Sequence, residues 1–253
     1  MTGQLRVVGI GPGPAHWITP EVTAALAEAT DVVGYRTYLA RLTVSSGQRT
    51  HASDNGDELE RARLALELAQ AGARVAIVSG GDPGVFAMAA AVFEAIERGP
   101  AVWRGLDVSV LPGVTAMLAA AARLGAPLGN DFCAINLSNN LKPWSVIETR
   151  LRLAARADLA IALYNPRSNA RPDQLQHAFE ALRAERPEST LVAFARAIGR
   201  PDEALHVTTL GAADPALVDM RTLVLIAASG SRCIERANGE VWLYSPRWIA
   251  EGS

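Results

Sequence analysis

The sequence predicts an α/β protein of two domains, on three observations. Short, nearly continuous apolar runs rich in β-branched residues recur at 5–10, 31–35, 74–79 and 107–111, each followed by glycine, proline or polar residues. Runs of this kind fit strands buried on both faces. Helix-like stretches at 20–29, 57–71 and 84–98 separate them, and strand alternating with helix implies a parallel sheet with right-handed crossovers. After Pro112-Gly113 the pattern changes, because few residues lie between the later strand candidates and some antiparallel pairing follows. A chain of 253 residues is long enough for one large domain or two small ones.

Each element has a local reason. The first strand, LRVVGI, runs into the loop Gly9-Ile10-Gly11-Pro12-Gly13-Pro14. Thr19 then serves as N-cap and Pro20 as first residue of the 20–29 helix. Asp31 opens the second strand. In 57–71, Leu59, Ala62, Leu66 and Ala69 share one face, with Glu58, Arg61 and Glu67 off it. The strand at 74–79 leads into Gly80-Gly81, after which Asp82 and Pro83 read as N-cap and first residue of a helix over 84–98. The strand at 107–111 ends in Pro112-Gly113-Val114-Thr115, and an alanine-rich helix follows over about 114–124. Strand candidates at 133–137, 158–164, 190–196, 204–210, 222–228 and 240–244 are then interleaved with helices near 144–156 and 172–185. The boundary divides the chain into 1–112 and 113–253.

Composition excludes several classes. With a net charge of −2, 20% charged and 49% apolar residues, the chain is neither disordered nor a nucleic-acid binder by charge. No run of about 18 apolar residues suggests a membrane span, and the first residues lack the apolar length of a signal peptide, so a cytoplasmic protein is expected. Cys133 and Cys233 lie far apart and read as small apolar residues rather than a disulfide or metal pair. His16, His51, His177 and His206 stand alone without metal-ligand spacing, so no metal is expected. Lys142 is the only lysine, and arginine's planar fork suits carboxylates or phosphates.

The first glycine loop is not a dinucleotide fingerprint. Pro12 and Pro14 each remove an N–H from a loop that would otherwise cradle a pyrophosphate, and Pro14 stands where the last glycine belongs. Asp31 opens its strand, whereas a ribose-binding carboxylate belongs at a strand's carboxyl end. Neither a P-loop nor a G-x-S-x-G elbow occurs. Three glycine loops at the carboxyl ends of parallel strands nevertheless define a crevice for a small molecule. A nucleotide-binding reductase and a non-catalytic binding protein remain the readings from other classes.

The ordered set VVGIGPG at 7–13, TDVVGY at 30–35, SGGDPGVF at 79–86, LPGVTA at 111–116, LYNPRS at 163–168 and RTLVLI at 221–226 resembles the tetrapyrrole (precorrin) methylases, class III S-adenosylmethionine-dependent methyltransferases. GYRTYL at 34–39, LKPW at 141–144 and ARAIGRPDE at 195–203 are similar to the branch that methylates precorrin-3B at C17 with ring contraction to precorrin-4, in cobalamin and porphyrin biosynthesis. The anaerobic branch acting on cobalt-factor III is the nearest alternative. The resemblance implies two α/β domains with the active site in the crevice between them, the first facing the tetrapyrrole and the second completing the cofactor site. It also implies a homodimer, for which the 114–124 helix, Trp144 and Trp248 are the candidate apolar surface.

Residue by residue, the resemblance implies that Pro12, Gly80, Gly81, Asp82, Val85, Thr115, Ala116, Tyr164, Asn165, Ala197 and Thr222 contact S-adenosylmethionine. Gly11, Gly13, Arg36, Arg167, Arg171 and Arg196 would face a polycarboxylate tetrapyrrole, the arginines pairing with its carboxylates. Arg36 stands where some relatives have an aspartate, and Leu137-Ser138-Asn139-Asn140 stands where close ones read SLSD, so neither place supplies a carboxylate base. Ring contraction requires a hydroxyl to lose its proton, and His16, beside the first loop, is the candidate by residue type and place.

Overall fold

A computed structural model describes residues 3–54 and 56–248, and the chain divides into two units, Met1–Thr115 and Ala116–Ser253. The N-terminal unit contains β1 (Gln4–Gly9), α1 (Pro20–Glu28), β2 (Asp31–Tyr35), α2 (Arg36–Leu39), β3 (Arg49–Ser53), α3 (Glu58–Gln70), β4 (Arg74–Ser79), α4 (Met88–Arg98) and β5 (Asp107–Leu111). Its strands lie in the order β3-β2-β4-β1-β5, and every pair is parallel. Both faces of the central strands are filled. Leu5, Val7 and Ile77 pack with Leu66 and Val92 of the helices on one side, and Val8, Val32 and Val78 pack with Val22 and Leu39 on the other. Each such side chain contributes roughly 1.5–3 kcal/mol on full burial. Thr19 caps α1 as the sequence predicts, its Oγ accepting from Val22 N at 3.2 Å, with Pro20 in the first turn.

Several expectations need correction. The helix predicted over 84–98 begins only at Met88, because Asp82 is engaged elsewhere and residues 83–87 form turns and bends. β5 is an edge strand and is only partly buried, not sandwiched on both faces. Arg61, predicted to lie off the buried face of α3, is itself buried, and its guanidinium donates to Ser53 Oγ at 2.7 Å and Asp54 O at 2.6 Å. Leu59, placed on that face, is instead 36% exposed.

The C-terminal unit contains α5 (Ala116–Leu124), β6 (Gly125–Ala126), β7 (Phe132–Asn136), α6 (Trp144–Arg156), β8 (Ala160–Tyr164), α7 (Gln174–Arg183), β9 (Leu191–Arg196), β10 (Ala204–Thr209), β11 (Thr222–Ile226), β12 (Arg232–Glu235) and β13 (Val241–Tyr244). The main sheet runs β10-β9-β11-β8-β7; β7 and β8 are parallel and the other neighbours antiparallel, as the short connections require. A small sheet, β12-β13-β6, stands apart. The core gathers Ile135, Leu163, Phe179, Phe194 and Val224. Arg186 is buried beside it, donating to the carbonyls of Ala155, Leu159 and Ala227, which satisfies loop carbonyls that water cannot reach.

Part of the apolar surface predicted for self-association packs inside this unit, while Leu118 of α5 stays exposed. α5 buries Ala119, Ala120, Ala121 and Leu124, and Trp144 is half-buried against the core with its ring 5.6 Å from His177. Trp248 is exposed. Cys133 is half-buried against the core, whereas Cys233 is exposed on β12, and both thiols are free. Among the described residues no helix is long and apolar enough to cross a membrane.

Candidate functional site

Register places the three glycine loops side by side. Gly9 pairs with Ser79 and Val8 with Leu111, so the carboxyl ends of β1, β4 and β5 are level and their loops leave the sheet together. Gly11 N donates to Gly81 O at 3.2 Å, and Asp82 ties the loops by accepting from Gly84 N at 2.8 Å through Oδ1 and from Gly113 N at 3.0 Å through Oδ2. Asp82 therefore caps no long helix; it joins the second and third loops. Val85, half-buried, closes the same turn by donating its N–H to Asp82 O.

The glycines answer to two different demands. A Cβ on Gly9 would stand 2.6 Å from Gly81 O and 2.9 Å from Gly113 Cα, and one on Gly80 would stand 2.7 Å from the Tyr38 ring, so those residues are small because the loops pack on one another. Gly11 and Gly81 have φ of +66° and +73°, and a Cβ on either would meet nothing closer than 3.8 Å. Here the left-handed φ, rather than a clash, calls for glycine, and the two turns form a candidate cradle for a ligand. Two residues outside the candidate site set support it. Half-buried Tyr38 backs Gly80, and Arg41 donates to Ile10 O at 3.2 Å and Gly13 O at 2.8 Å, holding the first loop from behind. Pro12 is half-buried and Gly13 buried in that loop, and Thr115 is buried where the third loop ends. His16 sits in a 3₁₀ turn, Ala15–Trp17, where it is exposed and makes an edge contact with Trp17.

A second cluster forms at one end of the C-terminal sheet. Asn136 pairs with Tyr164 across β7 and β8, and Thr222 pairs with Arg196 across β11 and β9. Tyr164, Asn165, Ala197 and Thr222 therefore lie along one edge. Asn165 and Ala197 immediately follow β8 and β9, with φ of 51° and 50°. Non-glycine residues in the left-handed region are held there by their surroundings and cluster at functional sites. Asn165 Nδ2 donates to Asn136 Oδ1 at 3.0 Å, and Ala197 N donates to Arg221 O at 3.0 Å. Thr222 is buried, its Oγ donating to Asp219 Oδ1 at 2.8 Å, while Tyr164 Oη accepts from Met117 N, in the first turn of the helix that Ala116 opens. Asp219 is held below the usual carboxylate range: burial pushes it up, but hydrogen bonds from Thr222, Arg221 N and Arg196 prevail.

The arginines divide. Arg36 is exposed, 3.7 Å from Asp54. Arg196 is engaged by Asp219 at 2.9 Å and Asp202 at 3.2 Å, so it is an ion-paired residue in this structure rather than a free carboxylate receptor. Arg167 lines a cavity in the same unit, and Arg171 shares a tight turn with Ser168, another residue of its lining. No group of three or more His, Cys, Asp or Glu side chains is placed to hold a metal among the described residues. His51 lies against buried Asp31 at 2.8 Å instead.

The model of the tetrapyrrole (corrin/porphyrin) methylases matches residues 4–214, a stretch that includes both clusters up to Ala197. The chain belongs to this family. A tetrapyrrole methylase is a methyltransferase, and the fold agrees: the solved methyltransferase CobJ superposes with a TM-score of 0.91 at 53% identity, over 96% of this chain and all of that one. The precorrin-3B C(17)-methyltransferase of Sinorhizobium sp is 56% identical over 253 residues, the whole of both chains. A probable cobalt-factor III C(17)-methyltransferase of Salmonella typhimurium is 44% identical over 226 residues, 88% of this chain and 92% of that one.

Proposed function

We propose that this methylase is a precorrin-3B C17-methyltransferase that uses S-adenosylmethionine and contracts the macrocycle to give precorrin-4, a step of cobalamin biosynthesis. The observation that carries the reading is the 56% identity over the full length of the Sinorhizobium enzyme, against 44% for the cobalt-factor III relative. The bound cofactor supplies an electrophilic methyl group. The left-handed turn at Gly81, with Gly80, Asp82, Val85, Pro12, Thr115 and Ala116, is one set of residues that would hold it; Tyr164, Asn165, Ala197 and Thr222 are the other. Apart from Asp82, whose carboxylate is engaged by Gly84 N and Gly113 N, both sets hold no charged side chain, which suits recognition of a nucleoside without a pyrophosphate.

Methyl transfer to carbon is an in-line displacement, so the chain's task is positioning, with reacting atoms about 3–3.5 Å apart. Contraction needs a proton acceptor, and His16 is proposed for that role, its exposed place beside the first loop leaving it free to meet substrate. Gly11 and Gly13 would lie against the macrocycle, and Arg36, Arg167 and Arg171 would meet its carboxylates, with Arg196 joining only if its ion pairs open. The protein would act in the cytoplasm as a homodimer, and a monomer at micromolar concentration in sedimentation equilibrium would refute the dimer.

Calorimetry tests the cofactor. S-adenosylhomocysteine should bind and NADPH should not; micromolar NADPH affinity without S-adenosylhomocysteine binding would reverse the assignment in favour of a reductase.

A further inference from the structure

A cavity of about 380 Å³ opens in the C-terminal unit where the 167–169 turn meets the 218–221 loop. Of the arginines around it, Arg196 and Arg221 are neutralised by Asp202 and Asp219, with Arg221 Nη2 2.8 Å from Asp202 Oδ2 and Arg196 Nε 2.9 Å from Asp219 Oδ2. Two cations therefore balance two carboxylates. Arg167 has no carboxylate partner among the described residues, its Nη1 reaching only Pro215 O at 3.4 Å. Arg171 makes no ion pair among them either, and its Nη1 is buried without a hydrogen-bond partner. The same is true of Ser168 Oγ, which belongs to a cavity-lining residue. Ser168 and Arg171 close one tight turn through two backbone bonds, Ser168 N to Arg171 O at 3.1 Å and Arg171 N to Ser168 O at 3.0 Å.

Buried donors in native proteins are nearly always satisfied, so the two orphans in this turn, beside the uncompensated Arg167, mark a missing acceptor. A group with two acceptor oxygens and one negative charge would complete the set, and Arg is the side chain best shaped to hold it. We infer that this cavity receives one carboxylate arm of the tetrapyrrole, with Arg167 and Ser168 as donors and Arg171 as the flanking cation. The inference rests on the substrate class proposed above. Asp219 lines the cavity without opposing this, because its oxygens are engaged by Arg196, Thr222 and Arg221 N.

The test is steady-state kinetics with precorrin-3B, alongside calorimetry with S-adenosylhomocysteine, on wild type, Arg167→Gln, Arg167→Lys, Ser168→Ala, Arg171→Gln and, as an exposed control outside the cavity, Arg232→Gln. Removing a charged hydrogen bond should raise KM for the tetrapyrrole about 10- to 100-fold in Arg167→Gln, less in the lysine and alanine variants, with kcat moving far less and S-adenosylhomocysteine affinity unmoved. The KM effect should shrink with salt, and Arg232→Gln should match wild type. Wild-type turnover with unchanged KM in all cavity variants overturns the pocket alone. Weakened S-adenosylhomocysteine binding with unchanged tetrapyrrole KM gives the cavity to the cofactor's own carboxylate and overturns the substrate assignment. Failure of wild type to turn over precorrin-3B overturns the functional reading and this inference with it.

Discussion

Replacing Gly9 by alanine is the sharpest perturbation of the glycine cradle. The added Cβ would lie 2.6 Å from Gly81 O, 2.7 Å from Pro83 Cδ and 2.9 Å from Gly113 Cα. Two of these atoms are backbone and the third belongs to a rigid ring, so no flexible side chain can yield. The loops after β1, β4 and β5 must separate, and overpacking of this kind costs about 1–3 kcal/mol, with the upper end expected for three simultaneous clashes. Gly81→Ala meets nothing closer than 3.8 Å but must keep a φ of +73°, a strain of about 1–2 kcal/mol for a residue with a side chain. Gly105→Ala has open space and no such strain, and should fall within about 0.5 kcal/mol of wild type. Urea unfolding should rank the three in that order, and calorimetry should show S-adenosylhomocysteine affinity falling about tenfold or more for Gly9→Ala, a loss of about 1.4 kcal/mol. If Gly9→Ala unfolds and binds like Gly105→Ala, the loops do not pack as described and the argument for the cradle fails.

Three further outcomes are expected. Asp31 is pushed up by burial but brought down to about 2 by hydrogen bonds from Arg49, His51 and Thr30, so it stabilises the fold above its unfolded pKa and loses that contribution as pH falls from about 4 to 2. The stability advantage of wild type over Asp31→Asn should therefore shrink by about 2 kcal/mol across that window in urea titrations, and a pH-independent difference would contradict it. His16→Gln should leave methyl transfer nearly intact and slow contraction by roughly 10²- to 10⁴-fold, so a methylated, uncontracted macrocycle accumulates by mass and absorbance; equal loss of both steps would make His16 a binding residue. Asn136→Ala should weaken S-adenosylhomocysteine binding by releasing Asn165 from its left-handed conformation, and adding Asn165→Gly should restore it, because glycine needs no such support; no rescue would mean that the Asn165 side chain itself is required.

The central strands of both units and the helix begun by Thr19-Pro20 were legible because apolar runs and a capping pair signal them directly. β3 was not, since RTHAS carries no apolar run; it pairs at the sheet edge, where Arg49 and His51 converge on the buried carboxylate of Asp31. The start of α4 departs from its sequence pattern for a related reason. Asp-Pro after a strand has the form of a cap, and only the register that brings Gly113 beside Asp82 diverts the carboxylate into joining two loops. The glycine motifs mark the loops that leave β1, β4 and β5 together but not why each glycine is there: Gly80 answers to Tyr38, a residue 42 positions earlier by number. Arg41 and Asn136 support the site through contacts distant in sequence, and no local pattern announces them.

The central claim is tested most directly by incubating the purified chain with isotopically labelled S-adenosylmethionine and, in parallel, precorrin-3B and cobalt-factor III, with products resolved by mass and absorbance. The account predicts one labelled methyl group on precorrin-3B with conversion to the contracted macrocycle, and markedly slower turnover of the cobalt-containing substrate. Label transferred only to cobalt-factor III, or to neither tetrapyrrole, would contradict it.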